Sequence, residues 1–244
     1  MSQVDRAQIE ALLNVQELDN TIDQLRYKNE NLPERAKLEE IRSELATLDR
    51  ACSATETARE DLRKQQRSLE ADAGDLEAKA KSLDAKLYDG SVTSPKEATA
   101  LGEEIASLRE RQSSIEDSAI ELLMEIEPLD EQLVQAQAAR GELEAREAEQ
   151  QANLDSASSA LDDETAAAES QRSDVAAAVD SVTLETYRKM RITYGPDAVA
   201  RFDAPNCVGC PMTMSAVELD RWKHLPAGSL EACVDCGRLV GKLD

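Results

Sequence analysis

Two leucine-rich seams, mirrored about one short turn, constrain this 244-residue chain more than any other feature. The first seam reads Leu38, Ile41, Leu45, Leu48, Cys52, Thr55, Arg59, Leu62, Gln66, Leu69, Ala73, Leu76, Ala80, Leu83 and Leu87. Its steps alternate three and four without a slip, a period of 3.5 that predicts a left-handed coiled coil. The second seam runs from Leu101 through Ile105, Leu108, Gln112, Ile115, Ala119, Leu122, Ile126, Leu129, Leu133, Ala136, Arg140 and Leu143. It continues through Glu147, Gln150, Leu154, Ala157 and Leu161, then thins to Ala168, Val175, Ala178 and Val182. Folded back antiparallel, the two seams keep Leu83 opposite Leu101, Leu76 opposite Leu108, Leu62 opposite Leu122 and Ile41 opposite Leu143. A rod made by two chains would use the same seams. The short, capped turn between them favours a hairpin within one chain.

That turn is Tyr88-Asp89-Gly90-Ser91-Val92-Thr93-Ser94-Pro95-Lys96-Glu97. Gly90 suits the positive-φ position past a helix end. Ser94 suits an N-cap, with Pro95 at the first helical position and Glu97 closing a capping box. In the first arm, Val15, Leu18, Ile22 and Leu25 form a stripe out of phase with Leu38. A helix break at Leu32-Pro33 accounts for the mismatch. Pro128 lies inside the second seam, but the heptads continue across it, so a kink is expected rather than an end.

Composition agrees with a mostly α chain. One Phe, one Trp and four Tyr are too few for a large sheet core, while 32% of residues are charged. The net charge is −22, unevenly spread. Residues 97–187 hold 5 basic and 23 acidic side chains, whereas residues 188–244 hold 8 basic and 7 acidic ones. Such acidity opposes extensive contact with phosphate backbones, except in the nearly neutral tail. No apolar run nears the ~20 residues that cross a bilayer, and the first residues lack the apolar core of a secretory signal. A soluble, cytoplasmic protein is the expectation.

Chemistry concentrates in that tail. Cys207-Val-Gly-Cys210 and Cys233-Val-Asp-Cys236 are two Cys-x-x-Cys pairs 22 residues apart. A two-residue spacer lets both sulfurs of a turn face one ion, and zinc favours four tetrahedral thiolates. One structural Zn2+ on Cys207, Cys210, Cys233 and Cys236 is expected, with disulfides or free redox thiols as the rivals. Four cysteine ligands leave no open position for a catalytic water. Gly209 and Gly237 fall where amides must turn toward sulfur. Cys52 sits in the first seam and reads as a small buried apolar residue. His224, the single histidine, reads as an ordinary surface residue rather than a ligand.

The long hairpin, the tip Tyr-x-Gly-x-Val-Thr-Ser-Pro-Lys-Glu and the tail Cys-x-Gly-Cys…Cys-x-x-Cys-Gly-Arg together resemble the bacterial coiled-coil proteins with a C-terminal four-cysteine zinc ribbon. The resemblance implies a helical hairpin with a zinc-ribbon head and no enzymatic activity. From the residues themselves, a long antiparallel coiled-coil helical hairpin is expected over residues 1–187, broken near Pro33 and with its tip loop at 88–96, followed by a small zinc-ribbon domain over 188–244. Members of that family are linked to flagellar or secretion assembly and to nucleic-acid binding. This chain departs from their pattern at Pro211, where His is frequent, and in its less basic end, Val240 to Asp244.

Two functions are therefore expected in order. The first is an adaptor or scaffold without a small-molecule substrate or membrane contact, binding protein partners through the zinc head and through Tyr88, Val92 and Lys96 at the tip. The second is nucleic-acid binding by the head. Arg188, Lys189, Arg191, Arg201, Arg221 and Lys223 would supply a basic patch, and Tyr187, Tyr194, Phe202 and Trp222 stacking surfaces. The same aromatics would equally build a ribbon core, with the cations paired to nearby acids. For an enzyme, the sequence offers neither a Gly-rich phosphate loop nor a clustered acid–base set.

Overall fold

The structure, a computed structural model, describes residues 2–210 and 212–243. Pro211 and Asp244, two positions of the departures noted above, lie outside the described residues. In chain order the elements are β1 (Ser2–Gln3), α1 (Arg6–Glu30), α2 (Pro33–Tyr88), α3 (Pro95–Ala176), α4 (Ser181–Tyr194), β2 (Val199–Asp203), β3 (Asn206–Cys207), α5 (Ala216–His224), β4 (Ser229–Ala232) and β5 (Leu239–Gly241). A single 3-10 turn, Gly195–Asp197, follows α4. The chain is a long helical hairpin with a small C-terminal sheet. It divides into two compact units, residues 37–150 and the combined segments 1–36 and 151–244.

Unit 37–150 is the seam made solid. Every position of the first seam is buried or half-buried, and so is every position of the second within the unit except Arg140. Leu38, Ile41, Ala73, Ala80, Leu101, Ile105, Ala119 and Ile126 are the most enclosed. Ion pairs join the arms in antiparallel order: Arg42 with Glu147, Asp49 with Arg140, and Asp84 with Arg109. Arg59, a charge at a seam position, is matched by Asp130, which also accepts from Arg63 at 2.7 Å. Such a polar layer disfavours slipped registers more than it adds stability. At the tip, α2 ends at Tyr88, Gly90 takes φ +83° and α3 starts at Pro95. The Asp89 carboxylate accepts from the Ser91 amide at 2.8 Å. Those bonds from Ser91 hold the exposed Asp89 carboxyl below its usual range. Helix α3 runs through Pro128 without interruption.

The other unit is built around a five-stranded sheet of order β1-β4-β5-β2-β3, in which only β2 and β5 pair in parallel. Alternation along the strands sends Val199, Leu230 and Leu239 to one face, and Ala200 and Val240 to the other. Leu12 and Val15 of α1 and Tyr187 of α4 cover the first face. Trp222 of α5 and the cysteine turns cover the second.

Two features of this unit carry no periodic signal in the sequence. Strand β1 adds the chain's start to the sheet beside β4. Gln16, buried on α1, both donates to the Val199 carbonyl at 2.9 Å and accepts from the Val199 amide at 2.7 Å, acting as a strand would. Replacing Gln16 with Leu strands two buried backbone groups at about 1–3 kcal/mol each. The expected loss of about 2–4 kcal/mol would be read as a lower urea midpoint with an unchanged denaturant slope.

The second seam ends earlier than its thinning pattern suggests. Helix α3 stops at Ala176, and Asp180 caps α4 by accepting from the amides of Val182 and Thr183. Val179 is buried there, while Ala178 and Val182 point to solvent. A new cap outweighs a weak heptad.

Candidate metal centre

Strand β3 delivers Cys207 into the second core, paired in register with Phe202 of β2. The chain then turns tightly, the Cys210 amide donating to the Cys207 carbonyl at 3.2 Å. Strand β4 delivers Cys233, and a second tight turn returns the chain into β5. In it the Cys233 amide donates to the Arg238 carbonyl and the Gly237 amide to the Cys233 carbonyl, each at 2.8 Å. The parallel pairing of β2 with β5 sets the two turns side by side.

Gly237 takes φ +74°, and a Cβ there would meet the Tyr194 hydroxyl. Gly209 has ordinary φ; its need is space, since a Cβ would lie 2.9 Å from the Ala200 Cβ. Positive φ is thus required at one of the two glycines and close approach at the other.

The four sulfurs all lie within 4.8 Å of one another, with Cys207 and Cys236 at 4.0 Å. Four thiolates around one ion at about 2.3 Å have an edge of about 3.8 Å, so little contraction is needed. Cys207 and Cys233 are buried, whereas Cys210 and Cys236 are half-buried. Amides point inward as the site requires: Gly209 toward the Cys207 sulfur, Asp235 and Cys236 toward Cys233, and Arg238 toward Cys236. Without a cation, burial and the neighbouring thiols push the Cys207 thiol up to about 12. Burial raises Cys233 as well. At Cys236 burial acts in the same direction, but hydrogen bonds from Arg238 and the other cysteines outweigh it and lower the thiol. As thiolates, four sulfurs this close would need a cation between them. The residues present fit a metal ion, and the site is part of the second core rather than an appendage.

His224 is not among these ligands. It is exposed on α5, its Nδ1 2.8 Å from the Asp220 carbonyl. Cys52 is half-buried in the hairpin, in the other unit. Of the aromatics, Tyr187 and Trp222 are fully buried, and Phe202 stacks on Trp222 with ring centroids 5.1 Å apart. Tyr194 lies under Arg238, whose Cζ is 5.4 Å from the ring centroid. Arg191 pairs with Asp23, Arg221 with Glu218 and Glu231, and Arg188 and Lys189 with Glu185. Arg201 and Lys223 remain exposed without an ion pair among the described residues.

One cation here has no signal in the sequence. Lys242 is buried, and its Nζ donates to the carbonyls of Trp222, Lys223 and Leu225 at 2.7–2.9 Å, closing the C-terminus of α5.

The profile of the CT398-like coiled coil hairpin domain matches residues 15–195. The chain belongs to that family. Two curated relatives, the uncharacterized proteins MT2288 and Rv2229c of two Mycobacterium tuberculosis strains, are each 28% identical over 238 residues, covering 98% of this chain and 96% of their own. A solved structure from Mycobacterium smegmatis superimposes with a TM-score of 0.87 at 21% identity, covering 99% of this chain and all of that one. CT398 from Chlamydia trachomatis gives 0.68 at 18% identity, with 96% and 97% covered. At these identities the likeness speaks for the family's fold. No described helix is long and apolar enough to cross a membrane.

Proposed function

We propose that this chain is a non-enzymatic cytoplasmic adaptor, whose head is held by one structural zinc and whose hairpin tip and head bind protein partners. The observation that carries the reading is the cysteine cluster: four thiolates occupy a tetrahedral ion completely and leave no position for substrate or water. Zinc is favoured over other metals by the all-thiolate set and its compact geometry. The tip supports a binding role, because Tyr88 is 81% exposed there, a large aromatic with no structural need to face water.

Capture from a lysate of the native host tests the adaptor reading. Zinc-loaded wild type is expected to retain discrete proteins that a Tyr88→Ala/Lys96→Glu variant loses at unchanged helicity. An identical catch from both contradicts tip binding. Exposed Arg201 and Lys223 sustain the second reading, a nucleic-acid-binding head. That reading predicts RNA or DNA affinity falling steeply with salt and lost on changing both residues to Glu.

A further inference from the structure

Over one stretch α3 carries two apolar stripes rather than one. The seam side holds Ala119, Leu122, Ile126, Leu129 and Leu133. On a different face, Ile120, Leu123, Met124, Glu127, Glu131 and Val134 follow one another at helical spacing. Ile120, Leu123, Met124 and Val134 are 55%, 46%, 69% and 71% exposed. Together with Arg63 and Arg67 of α2 they border a groove along the hairpin. A two-helix coiled coil needs one seam per helix, so the second stripe has no role within unit 37–150.

Charge identifies what fits. Between Arg111 and Arg140, α3 has seven acidic residues and no basic one. The cations across the groove are already engaged, Arg63 by Asp130 and Arg67 by Glu60. Glu127 and Glu131, on the stripe itself, make no ion pair among the described residues. A second copy of this chain suits the surface poorly, since stripes meeting face to face would press Glu127 and Glu131 against their own counterparts. We infer that this groove takes an amphipathic helix of a partner protein, apolar at i, i+3, i+4 and i+7 and carrying Lys or Arg along the edge that meets Glu127 and Glu131. The helix would lie against α2 and α3 as a third strand of the coiled coil. This surface uses neither the tip nor the head, so its test stands apart from the adaptor reading above.

The probe is a peptide of about 20 residues, long enough to form a helix, with Leu at those four spacings and Lys flanking them. A scrambled peptide of the same composition is the control, and binding is measured to the full zinc-loaded chain near physiological salt, where the Debye length is about 8 Å. The patterned peptide is expected to bind at least tenfold more tightly than the scrambled one. Ile120→Ser/Met124→Ser and, separately, Glu127→Lys/Glu131→Lys are each expected to weaken it at least tenfold. All four positions are exposed, so unchanged helicity accompanies both variants. Equal binding of the two peptides, or binding that ignores the substitutions, reduces the effect to diffuse attraction by an acidic chain and overturns the inference. Self-association weakened by Ile120→Ser/Met124→Ser assigns the groove to a second copy and overturns it as well.

Discussion

Chelation of the metal, or Cys233→Ser, is expected to unfold the C-terminal sheet while leaving most of the helical signal in place. Trp222 is the only tryptophan, is fully buried, and shares its core with Cys207 and Cys233. Its emission therefore reports on the head alone. Removing the ion leaves like-charged or protonated sulfurs in place of cohesive bonds. The binding energy lost, on the order of 10–16 kcal/mol for structural zinc, matches or exceeds the whole stability of an ordinary domain, about 5–15 kcal/mol. The emission should shift to the red as Trp222 meets water. Far-UV helicity should fall little, because α2 and α3 span 56 and 82 residues and owe their seam nothing to the four cysteines of the head. A blue-shifted, unchanged Trp222 after complete chelation would show that the head folds without metal.

The second large effect lies on the opposite face of the sheet. Asp19 of α1 accepts from Arg172 of α3 and, at 2.7 Å, from the Tyr187 hydroxyl of α4. Arg191 extends the network, donating to Asn20 at 2.8 Å and to Asp23 at 2.5 Å. Burial pushes the Asp19 carboxyl up, but the hydrogen bonds and charge of Arg172, with Tyr187, outweigh it and hold the group below its usual range. Burial and Asp19 together raise the Tyr187 hydroxyl, so it stays a donor. Asp19→Ala leaves Arg172 and Tyr187 without their acceptor, and a loss of about 3 kcal/mol is expected. Its pH dependence has a definite sign. A carboxyl depressed in the folded state contributes fully above its unfolded value of about 3.9 and loses that contribution as pH falls through the folded value. The gap between wild type and Asp19→Asn in urea midpoint should be constant near neutrality and close below about pH 4. A gap that is constant to pH 2 would show that Asp19 acts by shape and not by charge.

How much of this was legible in the sequence depends on whether the interaction is periodic. The hairpin could be read because a seam position looks the same at every turn, and one poor residue, such as the exposed Arg140, does not hide the others. The cysteine cluster could be read because each two-residue spacer sets both of its sulfurs on one side of a turn. Strand β1 could not, since Ser2 and Gln3 form too short a strand to show alternation and their partners Leu230 and Ser229 lie at the far end of the chain. Gln16, Asp19 and Lys242 escaped for the same reason: each acts on partners distant in sequence, and nothing in its neighbours announces them. The basic residues of the tail show the converse. As sequence they suggest a patch, but Arg191 is spent on Asp23 and Arg221 on Glu231, carboxylates that the fold brings near, and Arg221 also on its helix neighbour Glu218.

Elemental analysis of the purified 244-residue chain tests the account's central claim most directly, with no metal added during preparation and Cys233→Ser prepared alongside. One zinc per wild-type chain, with none in the variant, is the predicted result. A wild-type chain that holds no metal or a different one while Trp222 remains buried, or a variant that keeps its zinc, would contradict a head built around four thiolates and a structural ion.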